Sequence, residues 1–336
     1  MARGLTTPGA PTVAGMHAIR QHEFGPPESL RLEEVPDPRP GPGQLRIAVA
    51  AAGVHLLDTS IRAGRSGGPF PLPELPTTPG REVAGIVDAV GEGVQATWLG
   101  RRAVAHLGQA SGGYATLAVR EAAAVHAVPS QVALPAAVAM IGTGRTAIGV
   151  LEAARPGPRD TVLVLGAAGG LGALLVQAAK AAGATVVGAA GGRSKVWHAE
   201  QLGADVAVDY DASDWAAAVG PVTLVLDGVG GERGSTALGL LADGGRIAVF
   251  GWSSGEATAL DHHNLAARGI TAVPVTGKRI MERPGGLRGL EAEALAAAAA
   301  GRWTPLLNAP YTLAEAARAH AALERRGTVG KVVLYA

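Results

Sequence analysis

The chain contains no cysteine. That excludes disulfide crosslinks, thiolate nucleophiles and every metal site built with sulfur ligands. Aromatic residues make up only 4% of the 336 residues, too few for the stacking platforms of a single-strand nucleic-acid binder. A dominant charge is missing as well: 29 Lys and Arg against 28 Asp and Glu leave a formal +1. Nothing in bulk electrostatics therefore steers the chain to nucleic acid or to an anionic membrane. No basic segment followed by an apolar core opens the sequence, so a secretory signal is not expected. The run 161–179 is apolar enough to consider as a membrane span. Gly166, Gly169, Gly170 and Gly172 cluster inside it, however, and Gln177 and Lys180 follow on its second half. A cytoplasmic protein with a small-molecule substrate, and with neither nucleic-acid nor membrane partners, is the expectation.

What is present points to a folded enzyme-sized chain. Hydrophobic residues are 48% and charged residues 17%, a balance of globular rather than disordered proteins. Residues 1–15 read as a flexible leader. From 16 to 135 the signals are short runs rich in branched residues, such as "QLRIAVAAAGV" and "EVAGIVDAVGEGV", separated by Pro and Gly groups. They predict an antiparallel barrel or sandwich. From 136 to 280 the texture changes to strands alternating with helices: "TVLVLG", the helical "LGALLVQAAKAAG", "TVVGAA", the helical "SKVWHAEQLGA", "AVDY", "VTLVLDGV", the helical "RGSTALGLLADG" and "RIAVFG". That alternation predicts a parallel, doubly wound sheet. Two more helices and the strand "GKVVLYA" occupy 281–336, the second helix opened by Thr312 and Glu315 as a capping box. A lone terminal strand needs a partner sheet, and the N-terminal β region is one candidate.

Gly166-Ala167-Ala168-Gly169-Gly170-Leu171-Gly172 follows a predicted strand and opens a predicted helix. Against G-x-G-x-x-G, Ala167 replaces the first glycine while Gly169 and Gly172 fit. A pyrophosphate at a helix N-terminus needs bare amides and little bulk, and Ala meets the second requirement. The next strand would end in Asp or Glu for NAD, whose ribose hydroxyls a carboxylate accepts. It ends instead in Gly191-Gly192-Arg193-Ser194-Lys195. Cations at a helix start oppose the dipole unless an anion sits nearby, so either they are solvated surface groups or they read a 2′-phosphate. The second reading favours NADPH.

Taken together, "GVHLLDTSIRAG", "PGREVAGIVDAVGEGV", "GGYATLAV", "DGVGG", "GRIAVFGWSSG", "GTVGKVVL" and the glycine turn resemble the medium-chain dehydrogenase/reductases, specifically their zinc-independent quinone oxidoreductase-like branch. The resemblance spans Met16 to Ala336. It implies an α/β protein in which a GroES-like β-rich catalytic domain (16–135 and 281–336) stands beside a Rossmann domain with a doubly wound parallel sheet (136–280). A homodimer and an active site in the cleft are also implied. Carried over residue by residue, Thr146 stands beside the nicotinamide, and Gly169, Gly170 and Leu171 face the pyrophosphate. Gly191, Arg193 and Lys195 frame the 2′-phosphate, Tyr210 lies by the adenosine, and Phe250, Gly251 and Ser253 line the nicotinamide end.

The departures bear on chemistry. Zinc-dependent relatives carry a "GHE" segment where this chain has Gly80-Arg81-Glu82, and Arg is no ligand; with no cysteine anywhere, no metal is expected. The chemistry then expected is hydride transfer from NADPH to a quinone or an α,β-unsaturated carbonyl, whose conjugation spreads the developing charge, with a biosynthetic pathway as one setting. His55 stands where the family has Asn, either as a proton donor or as a larger hydrogen-bonding spacer. Arg65 replaces a Tyr that many relatives place after "RxG", and either meets an acidic substrate or is a solvated loop residue. Asp58 is the third catalytic candidate, with an ion pair to Arg62 as its structural alternative. Two other functions stay open: an enoyl thioester reductase, and an NADPH-binding protein with little or no net redox catalysis.

Overall fold

The computed structural model describes residues 15–65, 71–109, 111–275, 283 and 285–336. The leader expected over 1–15 lies outside them except for Gly15, which already belongs to the first strand. The domain boundary expected at 280–281 also falls outside the described residues.

Strands β1 (Gly15–Gln21) and β2 (Leu30–Pro36) form an antiparallel ribbon. Then β3 (Gln44–Val54), β4 (Glu82–Val90), β5 (Arg102–His106), β6 (Leu117–Glu121) and β7 (Val125–Ala127) build an antiparallel sheet around β3 and β4. In β3 every second side chain from Leu45 to Val49 is buried, the alternation of a strand with one face on the core. From Ala51 to Val54 burial becomes continuous, because there the strand is covered on both faces. Small Ala and Gly side chains permit that.

A second sheet is parallel: β8 (Thr161–Leu165), β9 (Thr185–Ala190), β10 (Val206–Asp209), β11 (Val222–Asp227), β12 (Leu241–Val249) and β13 (Thr271–Pro274), in spatial order β10-β9-β8-β11-β12-β13. This 3-2-1-4-5-6 order is that of doubly wound dinucleotide-binding sheets, with its ligand crevice at the carboxyl ends of the central strands. Residues Val162 to Leu165 of β8 are all buried, as helices on both faces require. The helix read through 233–244 ends at Gly239, and Leu241 already pairs with Val222. Between that pair and the next, Leu224 with Arg246, residues 242–245 bulge out of the ladder, with Gly244 at φ +76°.

The 161–179 run is thus a strand, a turn and most of the helix Gly170–Ala181, not one span. Among the described residues the helical run Leu134–Ala154 is the one long and apolar enough to cross a membrane, and 56% of its most apolar stretch is buried inside the protein. It is interrupted by a π-turn at Met140–Gly144, a distortion that clusters at functional sites.

The chain then returns to the antiparallel sheet. β14 (Tyr311–Thr312) pairs with β15 (Val332–Tyr335), and β15 pairs antiparallel with β3, Val332 opposite Val54. One buried cluster runs through both sheets, joining Ala51, Ala84 and Val104 to Met140, Ile141, Val162 and Val164. The molecule is an α/β protein with a GroES-like β-rich part and a Rossmann-type sheet, as expected.

Candidate active site

The glycine turn lies at the carboxyl end of β8. Gly166 takes φ +68°, and a Cβ on Gly172 would sit 2.1 Å from the Gly166 carbonyl oxygen. Only glycine at 172 lets the helix start this close to the strand. The helix has Gly169 as its N-cap and no side-chain cap, and the amides of its first turn, Gly170, Leu171 and Gly172, have no acceptor within a helix. A twelve-residue helix with a bare N-terminus at a switch point is a ready anion site.

A basic cluster stands at the end of β9. Gly192 there donates its amide to Asp209 at 2.8 Å, and the helix Arg193–Gln201 begins. Lys195 Nζ lies 2.5 Å from the carbonyl oxygen of Arg326, whose guanidinium in turn reaches the carbonyl and hydroxyl of Ser253. Burial first, then the neighbouring Arg326, lowers the Lys195 ammonium below its ordinary value. Arg326 is held at φ +56°, a left-handed conformation that costs a non-glycine residue about 1 kcal/mol or more. Tyr210 flanks Gly191, and Arg233 sits 4.7 Å over its ring. The residues present fit a phosphorylated adenosine: Lys195 and Arg326 stand together beside an aromatic face, while Asp209 is taken up by the Gly192 amide and Asp211 by Arg233. Arg193, expected to share this role, is exposed at the helix start. Ser253, expected at the nicotinamide end, donates its amide to the Gly228 carbonyl at 3.1 Å and also accepts the Arg326 guanidinium.

The third group lies where β3 and β4 meet the π-turn. His55 follows β3, Glu82 opens β4 and Lys331 precedes β15. Glu82 is fully buried, with His55 Nε2 2.8 Å from one carboxylate oxygen and Lys331 Nζ 2.7 Å from the other. Lys331 Nζ and His55 Nε2 are 3.0 Å apart. Burial alone would raise the Glu82 carboxyl, yet His55 and Lys331 hold it well below the usual carboxylate range. A Cβ on Gly142 would meet Glu82 Oε1 at 1.6 Å and His55 Cε1 at 3.5 Å, so the π-turn glycine makes room for this carboxylate. Thr146, one turn on, donates its hydroxyl to the Gly142 carbonyl at 2.8 Å. His55 and Thr146, far apart in sequence, are thus brought to one seam.

Asp58 does not face the cleft. It is buried, accepts the His55 amide at 2.8 Å and accepts the Tyr114 hydroxyl at 3.0 Å. Since that hydroxyl donates to Asp58, it accepts from His320 Nε2–H at 3.1 Å, which settles the tautomer of a fully buried histidine. Asp58 is therefore a positioning residue that fixes the start of the helix Leu56–Arg62 through a capping box with His55. Nor does it pair with Arg62, whose guanidinium contacts Glu324 at 2.5 Å. A second buried group, His126, Glu291 and Arg145, ties β7 to the helices at 3.0 and 2.6 Å. Beside it burial and the Arg145 guanidinium push His106 down to about 3.

Burial likewise pushes His320 down to about 4. Unfolded imidazoles bind protons below about pH 6.5, so between there and pH 4 the unfolded chain binds more protons than the native one. Stability is full above that window and is lost as pH falls through it. From pH 7 to pH 5, His320 and His106 are each expected to remove about 2 kcal/mol from the unfolding free energy. Urea denaturation at the two pH values, with His320→Gln halving the difference, is the check.

Arg65, at the end of the described segment after the helix Leu56–Arg62, is exposed. Phe250 packs its ring on Gly228, and Gly251 approaches the Gly228 backbone, so both sit at the joined ends of β11 and β12. Glu82, Lys331 and Arg326 were not singled out from the sequence. The signals available were that Glu82 matches the Glu of the "GHE" segment and that a Glu and a Lys stand at the starts of the apolar runs "EVAG" and "KVVL". Among the described residues no group of three His, Cys, Asp or Glu side chains has the arrangement of a metal site.

Comparison with known proteins shows the family. Residues 41–130 match the alcohol dehydrogenase GroES-like domain family, and 170–290 match the zinc-binding dehydrogenase family. The chain is 33% identical to the quinone oxidoreductase of Pseudomonas aeruginosa, over 93% of this chain and 97% of that one. It is 30% identical to a 2-haloacrylate reductase of Burkholderia sp., over 93% and 97% respectively. Among solved structures, the Escherichia coli quinone oxidoreductase complexed with NADPH superposes with a TM-score of 0.82 at 29% identity, covering 95% of this chain and 100% of that one.

Proposed function

The chain belongs to the medium-chain dehydrogenase/reductase superfamily, in its quinone oxidoreductase-like branch, and from that premise we propose that it is a zinc-independent, NADPH-dependent reductase of quinones or activated alkenes, working as a cytoplasmic homodimer. The observation that carries this reading is the convergence of Lys195 and Arg326 beside the bare-amide glycine turn. Bound there, NADPH supplies a hydride from its nicotinamide ring.

The rest of the work falls to the chain. The amides of Gly170, Leu171 and Gly172 hold the pyrophosphate, and Lys195 and Arg326 hold the 2′-phosphate with Tyr210 along the adenosine. Phe250, Gly251 and Thr146 line the nicotinamide end, and His55, whose side chain is 30% exposed, borders the acceptor. A conjugated acceptor develops negative charge on oxygen as it is reduced, and an aligned hydrogen-bond donor lowers that barrier. Glu82 and Lys331 engage His55 Nε2, so the ring serves as the hydrogen-bonding spacer that shapes the acceptor side. The similarity to a 2-haloacrylate reductase supports including activated alkenes beside quinones.

The test is consumption of NADPH by purified protein against quinones, enones and enoyl thioesters. Oxidation with a quinone or enone, and NADPH preferred to NADH, is the expected result. Preference for the thioesters would move the assignment to an enoyl thioester reductase. Tight NADPH binding with no oxidation across the panel would leave a cofactor-binding protein without net redox catalysis.

A further inference from the structure

Lys331 occupies an unusual position. Its backbone lies on the nucleotide turn: a Cβ on Gly170 would meet the Lys331 N, Cα and Cβ, each at 3.3 Å. The preceding Gly330 donates its amide to the Ala168 carbonyl at 2.7 Å and bridges to Gly169. Gly330 takes φ +67°, and a Cβ there would stand 2.2 Å from the Leu306 carbonyl oxygen, so this approach requires glycine. The Lys331 side chain runs the other way, into the antiparallel sheet, where its ammonium meets Glu82 and His55. Five residues upstream, Arg326 contacts Lys195 in the basic cluster. One six-residue segment, 326–331, therefore touches the expected 2′-phosphate site, the pyrophosphate turn and the acceptor-side histidine.

We propose that Lys331 is a positioning residue that couples docking of the cofactor on the glycine turn to the placement of His55, acting through the shared Glu82 carboxylate. The physical reason is the lack of slack. Lys331 is 5% exposed and Glu82 fully buried, so neither end can trade its partner for water without leaving a buried charge unpaired. A displacement of the 330–331 backbone by a ligand on the turn is then passed to the ammonium and on to the imidazole. Asp58 holds the His55 amide, so the ring, not the backbone, takes up the change. The ionisable groups that bear on this ring are Glu82 from β4, Lys331 beside β15 and His106 from β5, Cα partner of Glu82.

This inference rests on NADPH binding as proposed above. Its test compares Lys331→Met and the milder Lys331→Arg, which keeps the ion pair, with the wild type. NADPH affinity is read by fluorescence titration, kcat by steady-state turnover, and the His55 ring by NMR, its signal assigned from its absence in His55→Asn. In the wild type NADPH shifts the His55 ring signal. In Lys331→Met that shift disappears and kcat falls about 10- to 100-fold, the cost of an ångström-scale misplacement, while the NADPH dissociation constant stays within about threefold. Lys331→Arg restores part of both. A purely structural staple would instead lower affinity and turnover together and leave the NMR response intact, which overturns the proposal. So would a His55 signal indifferent to NADPH in wild-type protein that binds it. Wild-type protein that binds no NADPH overturns the functional reading as well. Protein that binds but turns over no acceptor overturns the reductase reading alone, and the NMR response then decides this inference.

Discussion

Glu82→Ala is expected to destabilise the protein by about 3–5 kcal/mol, the usual cost of removing one partner from a buried ion pair. Glu82 is wholly inaccessible and Lys331 is 5% exposed. The carboxylate is what makes the ammonium tolerable there, and alanine leaves a cation in a pocket walled by Gly142 and the apolar ends of β3 and β4. The loss should appear as a lower urea midpoint with an unchanged m-value. Glu82→Gln separates charge from volume, because the amide fills the same space and still strands the ammonium. It should cost nearly as much as alanine. The double variant Glu82→Ala/Lys331→Met should recover most of the loss, since it removes both charges together, and the resulting coupling energy should exceed about 2 kcal/mol. Strictly additive costs, or a single-variant loss below about 1 kcal/mol, would mean that the charges are not buried against each other.

Lys195→Glu should raise the dissociation constant for NADPH about 100- to 1,000-fold and that for NADH less than about threefold. A charge-assisted hydrogen bond contributes about 1.5–3 kcal/mol, or about 10- to 100-fold in affinity, and glutamate adds repulsion of the 2′-phosphate to that loss. Its ammonium bonds the Arg326 carbonyl, and crowding by the nearby Arg326 guanidinium lowers it more than Asp211 raises it. A phosphate placed between them would relieve that crowding as well as gain contacts. Arg326→Ala should show the same selectivity at about tenfold. Equal losses for NADPH and NADH would show that this cluster does not read the phosphate. Fluorescence titration with the two nucleotides decides it without any need for an acceptor.

Much of the fold was legible because its signals are local. The β3 segment 44–54 and the β8 segment 161–165 coincide with the runs read as strands, and the capping box at Thr312 and Glu315 forms as its spacing indicates. The helix ends near Gly239 although "LLADGG" carries no break until its glycines. Pairing with β11 starts at Leu241 and overrides that pattern. Among site residues, the glycine turn and Lys195 could be placed from their position after strands. Asp58 reads as a catalytic candidate because an acid in a motif looks the same whether it faces a cleft or a buried tyrosine. Its partner Tyr114 stands 56 residues away.

By itself the sequence determined the class of cofactor site, the two sheet textures and the absence of thiol chemistry, since each depends on residues adjacent in the chain or missing from it. Only the tertiary structure decided which charges meet. Lys331, Glu82 and His55 lie on three separate stretches, and their 2.7, 2.8 and 3.0 Å contacts exist because β15 returns to β3 and the π-turn leaves room at Gly142. Arg326 likewise reaches Lys195 only because the returning chain crosses the nucleotide turn. Electrostatic contacts fall off over a few ångströms and are indifferent to separation along the chain, so the pairing of these groups was a property of the fold.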